Sequence, residues 1–150
     1  MNRRDFSALL PMLLAAPALA PIAEAQTAAS AVLLPKLTSG QYVQGEASGA
    51  LRPVRTSHRF LLGMLPDNIR VEAHVTDLAP GAPAEPIDHH KHSEVWFMRE
   101  GTATLMTAGI SRTLKAGDMG LCVAGDDHFI TNASKTEPAS YFVLSLGPPE

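Results

Sequence analysis

Residues able to bind a metal are concentrated in the segment DHHKHSE, residues 88–94. It contains three of the chain's six histidines, and its potential ligands are Asp88, His89, His90, His92 and Glu94. Imidazole nitrogens and carboxylate oxygens are common ligands of divalent first-row metals. A further histidine, His128, follows a Gly-Asp-Asp turn later in the chain. The two segments together predict one metal site assembled from separate parts of the chain.

Strands are the elements that must position these side chains. After residue 40, short apolar runs alternate with glycine and proline, a pattern typical of all-β sandwiches and barrels. A strand presents side chains to one face only at every second position, so a metal site needs ligands from several strands. The predicted strands span residues 59–65, 69–78, 94–100, 102–108, 110–114, 119–124, 128–132 and 140–146.

Alternation also predicts the surroundings of the site. The strand at residues 69–78 has an apolar face and a more polar face that carries His74. We interpret His74 as a hydrogen-bonded structural residue, with a place in the cavity lining as the alternative. Trp96 and Met98 share the face of Glu94, so both are expected to wall the pocket or join the core. The single cysteine, Cys122, is interpreted as a small buried thiol.

The two histidine segments resemble the paired motifs of the cupin superfamily. The first motif is a glycine, a short spacer, His-x-His, three or four residues, a glutamate, six residues and a glycine, and it is matched by Gly81, His90, Glu94 and Gly101. The second is matched by Gly117, Gly125, His128 and Asn132, with Val123 in place of a proline. The resemblance covers about residues 69–146. It implies an all-β double-stranded β-helix, the jelly-roll cupin barrel, with one metal in its mouth.

The first motif departs from the family at its histidine pair. If His90 is the second residue of His-x-His, the first is Asp88, and the longer spacing places Ile87 before His89. The favoured set of metal ligands is therefore His90, Glu94, His128 and Asp88. In one alternative, His92 or His89 restores a third imidazole. In another, the site is weakened or empty.

A shell with two carboxylates predicts the metal. Oxygen ligands favour manganese or iron over copper, while imidazole accepts most first-row metals. We therefore expect one divalent ion as cofactor, Mn or Fe first, with Zn, Ni and Cu as alternatives.

The resemblance implies a metal-dependent enzyme acting on a small-molecule substrate. Dioxygenase, isomerase and decarboxylase-type reactions all occur among cupins, so the fold does not choose among them. No Gly-x-Ser-x-Gly nucleophile turn and no phosphate-binding glycine loop occurs in the sequence. The alternative function is a non-enzymatic periplasmic module that binds a metal or a small ligand.

The N-terminus resembles an export signal. Residues 1–25 combine Arg3 and Arg4 with a proline-interrupted apolar run and an Ala-Glu-Ala end, which predicts a cleaved signal peptide of twin-arginine type. Residues 26–40 are interpreted as a flexible lead-in and residues 41–150 as a single domain. The mature protein is expected in the periplasm or outside the cell.

Charge and composition limit the partners. The formal net charge is -3 and no polybasic run occurs, so neither a nucleic acid nor, for the mature form, a membrane is expected as partner. A small molecule remains as the expected ligand. The family resemblance implies a homodimer.

Overall fold

The computed structural model describes residues 33–48 and 54–150, which form an all-β structure. The predicted signal peptide lies outside the described residues. The strands are β1 (Ala47–Ser48), β2 (Arg55–Leu65), β3 (Ile69–Leu78), β4 (Ser93–Glu100), β5 (Thr102–Thr107), β6 (Ile110–Lys115), β7 (Met119–Cys122), β8 (His128–Asn132) and β9 (Ala139–Gly147). A short 3-10 helix at Pro66–Asn68 joins β2 to β3. Within this described part, no helix is long and apolar enough to cross a bilayer.

The strands form two antiparallel sheets. The larger sheet has the order β1-β2-β3-β9-β4-β7, and the smaller has the order β6-β5-β8. The chain passes repeatedly between the sheets, as in a jelly roll. The all-β prediction is confirmed.

Each of the eight predicted strands has a counterpart, but the structure extends one of them and adds another. β2 begins at Arg55, four residues before the predicted start, and β1 was not predicted. The missed residues, Arg-Thr-Ser-His, are polar and so give no apolar strand signal. This end of β2 borders a polar space, where the Ser57 hydroxyl lies 2.9 Å from the Thr76 hydroxyl. Lys36, in the predicted lead-in, forms a parallel bridge with Met64 of β2.

An apolar core fills one part of the space between the sheets. Burying these side chains is the main favourable term in folding. Met98 is fully buried in this core, whereas Trp96 both joins the core and lines a neighbouring cavity. The core consists of Leu78, Ala82, Trp96, Met98, Ala103, Leu105, Leu114, Cys122, Ile130, Ala139, Tyr141 and Val143.

A polar cavity adjoins this core between the two sheets. The polar face of β3 lines it, through Arg70, Glu72, His74 and Thr76. Buried polar groups are costly unless they find partners. Arg55, which also lines the cavity, has such partners. Its guanidinium donates to the Tyr141 hydroxyl at 2.5 Å and to the Ile130 carbonyl at 3.0 Å. The barrel is therefore apolar at one end and polar where the histidines lie.

Asn132, the last residue of the second motif, has a structural role. Its side-chain nitrogen donates to the carbonyls of Ala79 and Glu137, both at 2.9 Å, and its oxygen accepts from the Ser134 amide at 2.8 Å. The side chain therefore connects β8 to the loop that follows β3. That loop leads to the histidine segment.

Replacing Asn132 with alanine should destabilise the protein without removing any metal ligand. Three hydrogen bonds of a buried side chain are lost, and we expect the free energy of unfolding to fall by about 1–3 kcal/mol. Urea denaturation followed by tryptophan fluorescence measures this change. Thr113→Ala, at an exposed position of β6, is the control and should change stability by less than about 0.5 kcal/mol. Equal stability of both variants would contradict the assigned role.

Candidate metal centre

The two histidine segments are held together by the backbone. The loop between β3 and β4 runs beside the start of β8, where the Asp88 amide donates to the His128 carbonyl at 2.9 Å and the His128 amide donates to the Asp88 carbonyl at 3.0 Å. This pair of hydrogen bonds is an antiparallel bridge. It places the residues after Asp88 beside the side chain of His128.

Three side chains converge immediately after this bridge. His90, His92 and Glu94 occur at alternate positions, so an extended backbone points them to one side. One potential ligand atom from each lies within 4.8 Å of the others. The two imidazole rings stack with their centroids 4.3 Å apart, and Nε2 of His92 is 3.2 Å from Oε1 of Glu94. Such a group can hold a metal ion.

His128 approaches the same carboxylate from the second segment. Its Nε2 is 3.4 Å from Oε2 of Glu94. Its Nδ1 lies 3.2 Å from the Asp126 carbonyl and 3.5 Å from the Cys122 sulfur. A carbonyl is only an acceptor, so Nδ1 carries the proton that it donates there. Backbone contacts of this kind orient histidines that bind metals through the other nitrogen.

Glu94 is the centre of this arrangement. Burial alone would raise the pKa of its carboxyl, but hydrogen bonds from His128, Ser145 and His92 outweigh burial and lower the pKa to about 2. The Ser145 hydroxyl donates to Oε1 at 2.9 Å. The hydrogen bond to Glu94 in turn raises the pKa of His128. Glu94 is therefore a carboxylate across the physiological range.

The structure distributes the predicted ligands unevenly. His90, Glu94 and His128 come together, and His92, one of the alternatives, lies with them. Asp88 is exposed, and its Oδ2 is 3.2 Å from Nε2 of His90; the group of three that can hold a metal includes neither Asp88 nor His128. His89, the other alternative, is also exposed and faces Asp127, with 3.4 Å between Nδ1 and Oδ1.

The spacing of the donor atoms suits a divalent metal. Ligands bound at about 2.1 Å in a tetrahedral or octahedral shell lie about 3.0–3.4 Å apart at neighbouring positions. The two distances from histidine nitrogens to the Glu94 oxygens, 3.2 Å and 3.4 Å, fall within this range. The set has the histidine and carboxylate chemistry of a first-row metal site.

The candidate site borders the polar cavity, whose volume is about 300 Å³. Trp96 lies along one wall, with its ring centroid 5.5 Å from that of His128. His74, interpreted from the sequence as structural, also lines the cavity. Burial lowers the pKa of His74, more than the neighbouring Glu72 carboxylate raises it. Its imidazole is therefore neutral at pH 7.

Sequence reasoning missed two contributors to the site. Ser145 was identifiable, because alternation in β9 places it on the inward face with Tyr141 and Val143. Glu150 carried no such signal. Its carboxylate accepts a hydrogen bond from the Lys91 amide, which lowers the pKa of Glu150, and its oxygens lie 3.6 Å from Nδ1 of both His90 and His92.

Comparison with known families supports the cupin resemblance. Residues 74–145 match the Cupin domain family, Cupin_2. This segment contains both histidine segments and most of the cavity wall. No curated protein matches the chain.

Solved structures show the same fold at low identity. KdgF from Halomonas sp. is 16% identical, with a TM-score of 0.58 over 75% of this chain and 96% of that one. An RmlC-like cupin from Shewanella frigidimarina is 19% identical, with a TM-score of 0.54 over 73% and 87% of the two chains. A sugar phosphate isomerase of the cupin superfamily from Silicibacter pomeroyi is 21% identical, with a TM-score of 0.53 over 77% of each. These likenesses confirm the jelly-roll cupin barrel.

The metal content of single variants distinguishes two candidate shells, which share His90, Glu94 and His128. The fourth ligand is His92 in one and Asp88 in the other. We expect about one equivalent of divalent metal in the wild-type protein and none in His128→Ala or His92→Ala, because each loses a converging imidazole. Asp88→Ala should retain metal, since its backbone bridge survives. Elemental analysis after gel filtration measures this, with His58→Ala, outside the cavity, as control. Metal lost from Asp88→Ala and kept by His92→Ala would instead support the shell with two carboxylates.

Proposed function

We propose that this chain, a barrel of the cupin fold, is an exported metal-dependent enzyme that acts on a small molecule bound in its cavity. The observation that carries the proposal is the convergence of His90, His92 and Glu94 at the edge of a polar cavity of about 300 Å³. A metal site beside an open cavity leaves room for substrate, whereas a purely structural site is closed. The cavity thus favours an enzyme over the alternative of a non-enzymatic binding module.

His90, His92, Glu94 and His128 would hold one divalent ion. When bound, that ion would supply a Lewis acid that polarises a substrate oxygen. The preference for Mn or Fe depends on Asp88 as a second carboxylate ligand. With His92 in its place, the set has three imidazoles and one carboxylate, and Zn, Ni and Fe suit it as well as Mn.

His74 supports a reaction that moves a proton, of the isomerase or lyase type. A neutral imidazole inside the cavity can accept a proton from a bound substrate and return it. Glu94 is less suited to this task, because a carboxylate with a pKa of about 2 is a weak base. We therefore favour proton transfer over dioxygenase chemistry, with Glu94 holding the metal and His74 moving the proton.

Solvent isotope exchange tests this proposal even though the substrate is not identified. The metal-loaded protein is incubated in D2O with a defined panel of small hydroxy and oxo compounds, and carbon-bound deuterium is measured by mass spectrometry. We expect incorporation into at least one compound, and a rate about 100-fold lower for His74→Gln. His58→Gln, outside the cavity, is the control. Incorporation that is unaffected by His74→Gln would contradict the role of His74, and none with any compound would favour a binding module.

The outer face of the larger sheet supports the expected homodimer. Val95 and Phe97 of β4 pair with Leu121 and Met119 of the edge strand β7. Of these, Phe97, Leu121 and Met119 are exposed, and Val123, the next outward residue, is exposed as well. A contiguous apolar surface on an edge strand suits contact with a second copy about a two-fold axis. We propose that this surface, Phe97, Met119, Leu121 and Val123, is the dimer contact.

Native mass spectrometry of protein recovered from the periplasm tests export and assembly together. We expect a chain that begins at Gln26, because the signal is cleaved after Ala25, and a mass of two chains. Leu121→Asp should give single chains, since a buried unpaired carboxylate is costly. Thr113→Asp, at an exposed position on the smaller sheet, is the control. Intact residues 1–25 would contradict the export proposal, and single wild-type chains would contradict the dimer.

A further inference from the structure

A carboxylate of the chain itself lies at the mouth of the cavity. Glu150 accepts a hydrogen bond from the Lys91 amide, and its oxygens lie 3.6 Å from the nearest nitrogens of His90 and His92. The side chain of Glu150 is partly exposed, whereas His92 is buried. An anionic group therefore sits beside the candidate ligands, held by one backbone donor and open to solvent on its other side.

Arg70, on β3, contributes positive charge to the same place. One terminal nitrogen of its guanidinium donates to Oε2 of Glu72 at 2.6 Å. The other, Nη1, is buried without a hydrogen-bond partner among the described residues. Buried guanidinium nitrogens ordinarily have partners, because an unmet donor is costly. Nη1 of Arg70 is therefore a donor without an acceptor among the described residues.

The sheet brings Arg70 close to the metal ligands. Arg70 is paired with Gly147 in the register of β3 and β9. A Cβ placed on this glycine would lie 2.5 Å from the Cα of His92, so His92 packs closely against Gly147. Arg70 and His92 are therefore both neighbours of one glycine. Their side chains line the same cavity, so a molecule of a few carbon atoms can reach both.

We propose that the Lys91 amide and the Arg70 guanidinium form a carboxylate subsite, that Glu150 occupies its Lys91 half until a substrate displaces it, and that the substrate is a small carboxylic acid. This inference rests on the proposed function, because the substrate would place its other oxygen at the metal. A carboxylate offers two acceptor oxygens, which suits one amide and one guanidinium nitrogen. A neutral amide of the same shape offers one acceptor oxygen and no charge, so it can satisfy only one of the two donors.

The hydrogen-bond partners of the two arginines that line the cavity support an anion beside Arg70. The Glu72 carboxylate is already bound on both oxygens, Oε1 by Arg59 at 3.0 Å and Oε2 by Arg70. Neither oxygen accepts a hydrogen bond from Nη1. The other arginine of the cavity, Arg55, is engaged by Tyr141, Ile130 and Glu85. Of the two arginines that line the cavity in the described ranges, Arg70 is the one with a free donor.

Binding of glycolate and glycolamide to the manganese-loaded protein tests the subsite. The two molecules differ only in the charge of one group, and isothermal titration calorimetry measures both affinities. We expect the wild-type protein to prefer glycolate by at least about tenfold, Arg70→Gln to abolish this preference, and Arg70→Lys to keep part of it. Glu150→Ala should bind glycolate more tightly than the wild type, because the competing carboxylate is removed.

Arg112→Gln, which removes an arginine on the opposite sheet, is the matched control and should keep the wild-type preference. Thermal melting of Arg70→Gln and Arg70→Lys checks that both fold. Equal affinity for the two compounds, or a preference that survives in Arg70→Gln, would overturn the subsite. An unchanged glycolate affinity in Glu150→Ala would overturn the occupancy by Glu150.

Elemental analysis of the same samples separates this inference from the proposed function. A wild-type protein that holds no manganese or other divalent metal would contradict the proposed function. The subsite would then be tested by the same pair of compounds on the metal-free protein, in which Lys91 and Arg70 are still present. A loaded protein without preference for glycolate would contradict the subsite alone.

Discussion

The candidate metal centre depends on two backbone hydrogen bonds between Asp88 and His128. They hold the loop before β4 against the first residue of β8, and they make residues 40 positions apart in the chain into neighbours. Without the bridge, the loop at residues 79–92 would sample many positions. A metal site requires its ligand atoms to be placed within a few tenths of an ångström. Both hydrogen bonds of the bridge use main-chain atoms, so many side chains are compatible with the bridge at residue 88. The bridge therefore does not require a histidine at residue 88.

Glu94 then joins the two segments chemically. It accepts from Ser145 on β9 and from His92 on one oxygen, and it faces His128 on the other. A carboxylate stabilised in this way remains ionised although it is largely buried, and burial strengthens its interaction with any cation placed between the imidazoles. The same contacts make Glu94 a poor base, which is why the proposed function assigns proton transfer to His74.

Polar lining on β3 connects the metal centre with the proposed substrate. Arg70, Glu72, His74 and Thr76 all point into the cavity, although the opposite face of β3, with Val71, Ala73 and Val75, is the apolar one. A strand in a simple two-layer sandwich would turn its apolar face inward. In this structure the apolar face of β3 is buried, and its polar face lines the cavity. A cavity lined in this way suits a polar ligand, which is consistent with the proposed carboxylate subsite.

The sequence by itself determined the fold class, most of the strands and the residues from which a metal site could be built. Those features follow from alternation and turn residues, which act over a few neighbouring positions, and from a motif resemblance that includes Gly117, Gly125 and Asn132. Only the tertiary structure decided that His92 lies with His90 and Glu94, that Asp88 is exposed, and that Glu150 and Arg70 line the same cavity. The physical reason is register: which residue of a loop or terminus lies opposite a given strand position depends on contacts between segments far apart in sequence.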